Sequence, residues 1–128
     1  MDYTRAGALI VRRGYDYDIL GRPTARNLAR YGTETSDTFG YNTRSELTSA
    51  HVNSADYSYA YDAIGNRTSA VENGTSTAYN AKNRPVLFVK SDNSVTVECT
   101  YDTMGRRATK KVTTNGSVTE HRCFFCFF

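Results

Sequence analysis

The chain has 128 residues, a formal net charge of +3 and a pI of about 8.8. This length allows one domain at most. Its 16 basic and 13 acidic residues do not give the clustered positive surface that nucleic-acid binding requires. Leu, Ile, Val and Phe are scarce, whereas ten Tyr and seventeen Thr favour pleated surfaces. Composition therefore predicts an all-β protein with a polar surface and no nucleic-acid partner.

The N-terminal part contains one short apolar run, residues 8–11, which predicts a strand that Gly14 interrupts. The run is far too short to span a membrane. Arg12 and Arg13 follow it rather than precede it, unlike the charge arrangement of a signal peptide. We therefore expect no membrane span and recognise no export signal in the sequence.

One eight-residue unit then recurs along the chain. It starts with Tyr, continues with Asp or Asn, and has Gly, Asn or Ser at its fifth position, which are residues that turns prefer. The five copies are YDILGRPT from Tyr17, YNTRSELT from Tyr41, YDAIGNRT from Tyr61, YNAKNRPV from Tyr79 and YDTMGRRA from Tyr101. Their spacing of 18 to 24 residues suits two short strands with two turns and is too short for a βαβ unit of about 30 residues.

The central copy shows what each unit predicts. Residues 57–61 alternate aromatic and small side chains with a period of two, as in a half-buried strand. Asp62 can then bond its own backbone two residues on, and Gly65 can adopt a positive φ. Alternation resumes over residues 66–68. The sequence therefore predicts a ladder of antiparallel hairpins.

Other turn signals lie between the repeats. The Asn-Gly pairs at Asn73 and Asn115 favour two-residue hairpin loops, whose central residues both need positive φ. Residues 91–93 form a polar turn signal, and the apolar run 86–89 predicts a strand covered on both faces or partly exposed. We expect at least six antiparallel strands, no helix longer than about two turns, and turns near residues 19, 63, 73, 92, 103 and 115.

The repeats resemble those of the RHS family, also called YD-repeat proteins, whose hallmark is Tyr-Asp-x-x-Gly-Arg followed by an alternating strand. The copies at Tyr17 and Tyr101 match this pattern fully, the copy at Tyr61 has Asn in the place of Arg, and the copies at Tyr41 and Tyr79 are degenerate. The resemblance implies a structural role for the matching positions Tyr17, Asp18, Gly21, Arg22, Tyr61, Asp62, Gly65, Tyr101, Asp102, Gly105 and Arg106.

In that family, which includes bacterial polymorphic toxins, insecticidal toxin-complex components and teneurins, the repeats form a spiralling β-sheet shell in large secreted or cell-surface proteins. Full-length toxins of the family also carry an Asp-Pro-containing self-cleavage segment and a variable toxin domain. This sequence shows neither feature. The resemblance therefore implies only the shell role for these residues.

We assign residues 1–122 to the repeat region, because residues 123–128, Cys-Phe-Phe-Cys-Phe-Phe, do not fit the repeat pattern. The simplest interpretation of this hydrophobic tail is a truncated or frame-disrupted gene end. A membrane anchor is the alternative, although six residues cannot span a bilayer. We expect the chain to self-associate through open sheet edges and exposed apolar surface.

Catalytic and metal-binding patterns are weak. No acid, base and nucleophile set can be assembled, and turn chemistry accounts for the Asp residues of the repeats. Cys123 and Cys126 form a lone Cys-x-x-Cys without zinc-finger spacing, and Cys99 is most simply a buried small hydrophobic residue. We therefore expect no enzyme, no cofactor and no metal site.

Two functions remain. The favoured one is a non-catalytic structural repeat segment that forms part of the wall of a β-shell around a toxin domain, with the rest of the shell or adjacent repeats as its partners. The alternative is a binding module in which exposed Tyr, Asn and Arg side chains contact carbohydrate on a cell surface.

Overall fold

The computed structural model describes residues 2–5 and 8–124, and these form an all-β fold of twelve strands with no helix among them. The all-β antiparallel prediction is therefore confirmed. The strands are β1 (Asp2–Arg5), β2 (Ala8–Tyr17), β3 (Pro23–Arg30), β4 (Thr33–Tyr41), β5 (Leu47–Val52), β6 (Ala55–Tyr61), β7 (Arg67–Glu72), β8 (Thr75–Tyr79), β9 (Pro85–Lys90), β10 (Val95–Tyr101), β11 (Arg107–Thr114) and β12 (Ser117–Cys123).

The chain divides into two compact units, Met1–Ser58 and Tyr59–Phe128, with the division inside β6. In the first unit β1 to β6 follow one another in chain order, each antiparallel to the next. In the second unit β7 to β12 do the same. Each unit is therefore a meander of hairpins, as the alternating sequence predicted.

Two kinds of turn close these hairpins, and within each unit they lie at opposite ends of the strands. The motif turns are residues 18–22, 42–46, 62–66, 80–84 and 102–106. The tight turns are residues 31–32, 53–54, 73–74 and 115–116, where both residues have positive φ. A longer loop at 91–94 joins β9 to β10 at the tight-turn end. All six turn positions predicted from the sequence are turns in the structure.

Two strand predictions need correction. β2 continues through Gly14, which pairs with Asn27 in regular register, instead of stopping there. A Gly inside a strand costs only about 0.5–1 kcal/mol, so pairing on both sides of Gly14 maintains the strand. The strand Asp2–Arg5, which pairs with β2, was not predicted because its four residues show little apolar alternation.

Few residues are buried, and they are small. The buried apolar positions in the described chain are Ala29, Ala50, Ala70 and Cys99. No large side chain is fully buried among the described residues, because in each unit side chains are covered chiefly by neighbours on the same face of the sheet. Cys99, at 5% exposure, is buried as predicted.

The apolar run 86–89 lies in the middle of the second unit, in β9, and is half-buried at every position. Phe88 pairs with Thr77 of β8 on one side and with Val97 of β10 on the other. Both partner strands lie in the plane of the same sheet, and successive side chains of β9 point to its opposite faces. Intermediate burial at all four positions agrees with the partly exposed alternative and not with a strand that is covered on both faces.

Candidate functional site

The five motif turns share one backbone conformation. In every copy the N–H of the second position donates to the carbonyl of the sixth at 2.9–3.0 Å, and the N–H of the fifth donates to the carbonyl of the second at 2.9–3.2 Å. The strand register shifts at the motif Tyr in the four copies whose pairing is described. The fifth position has positive φ throughout: Gly21 76°, Ser45 64°, Gly65 90°, Asn83 58° and Gly105 83°. The degenerate copies are therefore intact in geometry, as loops with a bulge residue in the left-handed region.

The side chain at the second position fixes this loop. Oδ1 of Asp62 accepts hydrogen bonds from the amides of the fourth and sixth positions at 3.0 and 2.9 Å. Oδ1 of Asn80 accepts the equivalent pair at 3.0 and 3.1 Å. Asp and Asn interchange among the copies because the backbone requires only this one oxygen.

The second carboxylate oxygen binds the sixth residue. Oδ2 of Asp18 and of Asp102 accepts from Nε of Arg22 and of Arg106, at 2.6 and 2.8 Å. In the third copy Asn66 donates through its side-chain amide to the same oxygen of its Asp at 3.1 Å. Asn therefore replaces Arg as a donor inside the turn, which explains how this copy keeps the geometry without the family residue.

These contacts hold the turn carboxylates as anions. The N–H of the sixth residue is the main cause that lowers the pKa of Asp18 and Asp102. Partial burial would raise the pKa of Asp62, but hydrogen bonds from the backbone and side chain of Asn66 outweigh it, and the pKa is lowered. A carboxylate with a lowered pKa is a poor general acid at neutral pH, and the contacts that lower it lie within the turn itself.

In the first unit, a motif turn also contacts the next one. The guanidinium of Arg22 lies over the ring of Tyr41, 4.8 Å from its centroid. Its Nη1 donates to the carbonyl of Asn42 at 3.1 Å and to Oγ of Ser45 at 3.2 Å. The sixth residue of one repeat thus binds the first, second and fifth residues of the following repeat.

The second unit also has contacts from one repeat to the next. Arg84, the sixth residue of its repeat, lies over the ring of Tyr101 at 5.6 Å, and Arg67, the seventh residue of its repeat, lies over that of Tyr79 at 5.8 Å. The guanidinium of Arg84 also covers Gly105 so closely that a Cβ there would overlap it. Position 105 therefore favours Gly for two reasons: its φ is positive, and the guanidinium of Arg84 from the preceding repeat fills the space that a Cβ would need.

Motif tyrosines add a hydrogen bond between repeats. The hydroxyl of Tyr41 donates to the carbonyl of Pro23 at 3.0 Å, and that of Tyr101 donates to the carbonyl of Pro85 at 2.8 Å. Both prolines occupy the seventh position of the preceding repeat. Sequence reasoning missed these links between repeats. The recurring Tyr and the Arg-Pro pair at the sixth and seventh positions were the available signal.

A second surface lies at the strand edges of the first unit. Tyr15 and Tyr17 are 50% and 60% exposed, with ring centroids 6.4 Å apart. Tyr15 borders a groove of about 250 Å³, which also contains an ion pair between Arg26 and the buried Asp37. The amide of Asn53, followed by Arg26, lowers the pKa of Asp37. No pattern in the amino-acid sequence indicated that Asp37 would be buried.

The metal-binding prediction can be examined only in the described part of the chain. Within the described residues, no cluster of three or more His, Cys, Asp and Glu could hold a metal ion. Cys126 lies outside those residues, so the interpretation of the Cys123–Cys126 pair stays a prediction. The same part of the chain contains no helix that could cross a membrane.

The fold and the recurring turns define a class: an all-β protein of antiparallel hairpin repeats. No protein-family model matches the chain, and no match is found among curated proteins. The resemblance to RHS repeats therefore depends on the five motif copies themselves.

Proposed function

We propose that the chain is a non-catalytic structural repeat segment of an RHS-type secreted or cell-surface protein, forming part of the wall of a β-shell around a toxin domain. The observation that supports this most is the recurrence of one turn geometry in all five copies. The Asp, Asn and Gly residues of the motif make contacts that fold the turn. Their role in this proposal is to set the shape of the wall.

Contacts between successive repeats support the same role. Arg22 reaches Ser45 in the following motif turn, and Arg84 reaches the ring of Tyr101. In repeat arrays, stability comes largely from such nearest-neighbour interfaces. Small buried residues and strand edges with backbone donors and acceptors also favour further repeats, or a second copy, as partners.

Coupling between repeats can be tested with Arg84→Ala. The amide of Gly105 donates to the carbonyl of Asp102 within the next turn at 2.9 Å. If repeats stabilise one another, removing Arg84 lowers the hydrogen-exchange protection of this amide. Lys82→Ala is the matched control, since Lys82 is exposed in the same turn as Arg84. Unchanged protection of Gly105 in the Arg84 variant would count against a wall built from interlocked repeats.

The exposed tyrosines of the first unit favour the second candidate, carbohydrate binding. Tyr15 presents an apolar ring beside a groove with charged groups, and Tyr17 lies next to Tyr15. This arrangement suits a ligand with both polar and apolar faces. A glycan array separates the two functions, because a wall segment shows no saccharide preference. Binding that Tyr15→Ala and Tyr17→Ala abolish, and that Tyr31→Ala at an exposed tight turn leaves intact, would establish the binding module instead.

A further inference from the structure

The motif turns of the second unit present side chains that the turn does not need. The fourth position of each turn stands at its tip, and in this unit it is Ile64, Lys82 and Met104. Ile64 is 84% exposed and Met104 is 76% exposed. Large apolar side chains are thus presented to solvent at two of the three tips.

Folding of the turn does not account for these apolar residues. The turn with Lys82 at its tip has the same backbone hydrogen bonds as the turns of Ile64 and Met104, and its fifth residue, Asn83, also has positive φ. A charged tip therefore serves the backbone equally well. The first unit, taken by itself, has a similar pair of turns, with exposed Ile19 and Leu20 in one and Arg44 in the other.

The three tips of the second unit form a row. Successive motif turns are two strands apart, and neighbouring strands are about 4.8 Å apart, so adjacent tips lie about 10 Å apart. Ile64 and Met104 are then about 20 Å apart, with Lys82 between them. The hydrogen-bonded loops place the backbone of all three tips at one end of the sheet.

Positive charge surrounds this row. Residues 61–67, 79–85 and 101–107 contain five basic side chains and two acidic ones. The carboxylates of Asp62 and Asp102 accept hydrogen bonds inside their own turns. The basic residues are Arg67, Lys82, Arg84, Arg106 and Arg107. Arg67 and Arg106 form ion pairs with Glu72 and Asp102, and Arg84 lies over the ring of Tyr101. Lys82 and Arg107 are therefore the exposed basic side chains that can meet an anionic ligand.

We propose that this end of the second unit docks onto an anionic lipid surface. Ile64 and Met104 enter the headgroup region, and Lys82 with Arg107 binds the negative headgroups. Stable attachment to a membrane generally needs two weak signals together, such as buried apolar groups and a basic patch. The tip row supplies both, and charge complementarity favours anionic over neutral lipid. This docking does not depend on the assignment to the RHS type.

Vesicle sedimentation of the full chain tests the proposal. We expect binding to vesicles of phosphatidylcholine with about 30% phosphatidylserine and little binding to phosphatidylcholine alone, with binding weakened as salt rises because the charges are screened. Ile64→Ser combined with Met104→Ser should reduce the partition coefficient by about tenfold or more, since each exposed apolar group loses its transfer into the interface. Lys82→Gln should reduce it by a few-fold.

Matched controls lie at the opposite end of the strands. Val118→Ser removes an apolar side chain that is 57% exposed, and Lys90→Gln removes one exposed lysine beside the loop at 91–94. Both should leave binding unchanged. Absence of binding to anionic vesicles, or equal losses in tip and control variants, would overturn the proposal. So would light scattering that shows self-association abolished by the tip substitutions without any vesicle binding, because the tips would then contact a second copy.

Discussion

The chain reverses direction at both ends of the strands, but the turns at the two ends are stabilised differently. At the tight-turn end, pairs such as Asn115 and Gly116 reverse the chain with positive φ at both positions, so the conformation depends on what each residue's backbone tolerates. At the motif end, one oxygen of Asp or Asn binds two amides, and arginines reach from one repeat to the next. The motif end therefore adds side-chain contacts to backbone conformation.

This difference indicates that side-chain contacts between repeats are concentrated at the motif end. The tight turns contact neighbouring segments mainly through backbone amides, since Tyr31 and Asn115 donate to the carbonyls of Ile10 and Ser94. Another two-residue loop would supply the same amides. A motif turn that loses its Asp, Arg or Tyr affects the following repeat as well. Substitutions that separate backbone tolerance from side-chain contacts should therefore act unequally at the two ends.

The largest effect should come from acid, because it acts on several motif turns together. The pKa values of Asp18, Asp62 and Asp102 are lowered in the fold, so their contribution to stability is present above the unfolded pKa of about 3.9. It is lost as pH falls through the folded values. We expect the urea concentration at the unfolding midpoint to decrease once the pH is lowered below about 4.

Hydrogen exchange can localise this loss. The turns with Asn42 and Asn80 do not titrate, so their amides should keep protection at acid pH when those of the Asp turns have lost it. At the opposite end, hydrogen bonds from Ser94 lower the pKa of Asp92 to about 2, so its loop should open only near that pH. Equal loss at all turns would contradict the proposed role of the Asp carboxylates.

A Gly at each end gives the next largest effect. Gly105 and Gly116 have similar φ, 83° and 80°, but a Cβ at 105 meets the guanidinium of Arg84, whereas one at 116 meets open space. Gly105→Val should destabilise the fold by about 1–3 kcal/mol, and Gly116→Val by about 1 kcal/mol. Gly65→Val, with φ of 90°, should also cost about 1 kcal/mol or more. Urea unfolding measures the three, and equal midpoints for Gly105→Val and Gly116→Val would show that Arg84 moves away without cost.

Substituting Gly for the polar residue of each turn separates the contribution of the side chain to stability from that of the backbone conformation. Asn115→Gly should be nearly neutral, within about 0.5 kcal/mol, because Gly also tolerates positive φ. Asp102→Gly should lower the urea midpoint because the amide of Arg106 loses its acceptor. Asp102→Asn is the control that keeps the oxygen. A midpoint as low as that of Asp102→Gly in this control would mean that charge, rather than the turn oxygen, stabilises the loop.

The smallest effect tests one link between repeats. Tyr101→Phe removes the hydroxyl that donates to Pro85 at 2.8 Å and keeps the ring beneath Arg84. The expected loss is about 0.5–1.5 kcal/mol, the usual value of one hydrogen bond. Tyr17→Phe is the comparison, since Tyr17 is 60% exposed in the first repeat. A larger loss for Tyr17→Phe would show that the hydroxyl of Tyr101 contributes little between repeats.

The local conformation could be predicted from the sequence because it depends on neighbouring residues. The alternation of residues 57–61 became the burial pattern of β6, and Gly21, Gly65 and Gly105 have the positive φ that the motif implied. Even the degenerate copies, with Ser45 and Asn83, were recognisable by position. The strand break predicted at Gly14 was wrong because pairing with β3 maintains the strand there. The residues next to Gly14 in the sequence do not show that a partner strand will pair with it.

The amino-acid sequence by itself determined the all-β class, the hairpin ladder and the places where the chain turns, since side-chain period and turn chemistry operate over a few residues. Only the tertiary structure decided that Arg84 covers Gly105, that Tyr101 bonds Pro85, and that Asp37 is buried beside Arg26. These contacts join residues 11 to 21 positions apart. They depend on the register between strands and on side-chain direction, which backbone hydrogen bonds across the sheet fix and which no local pattern specifies.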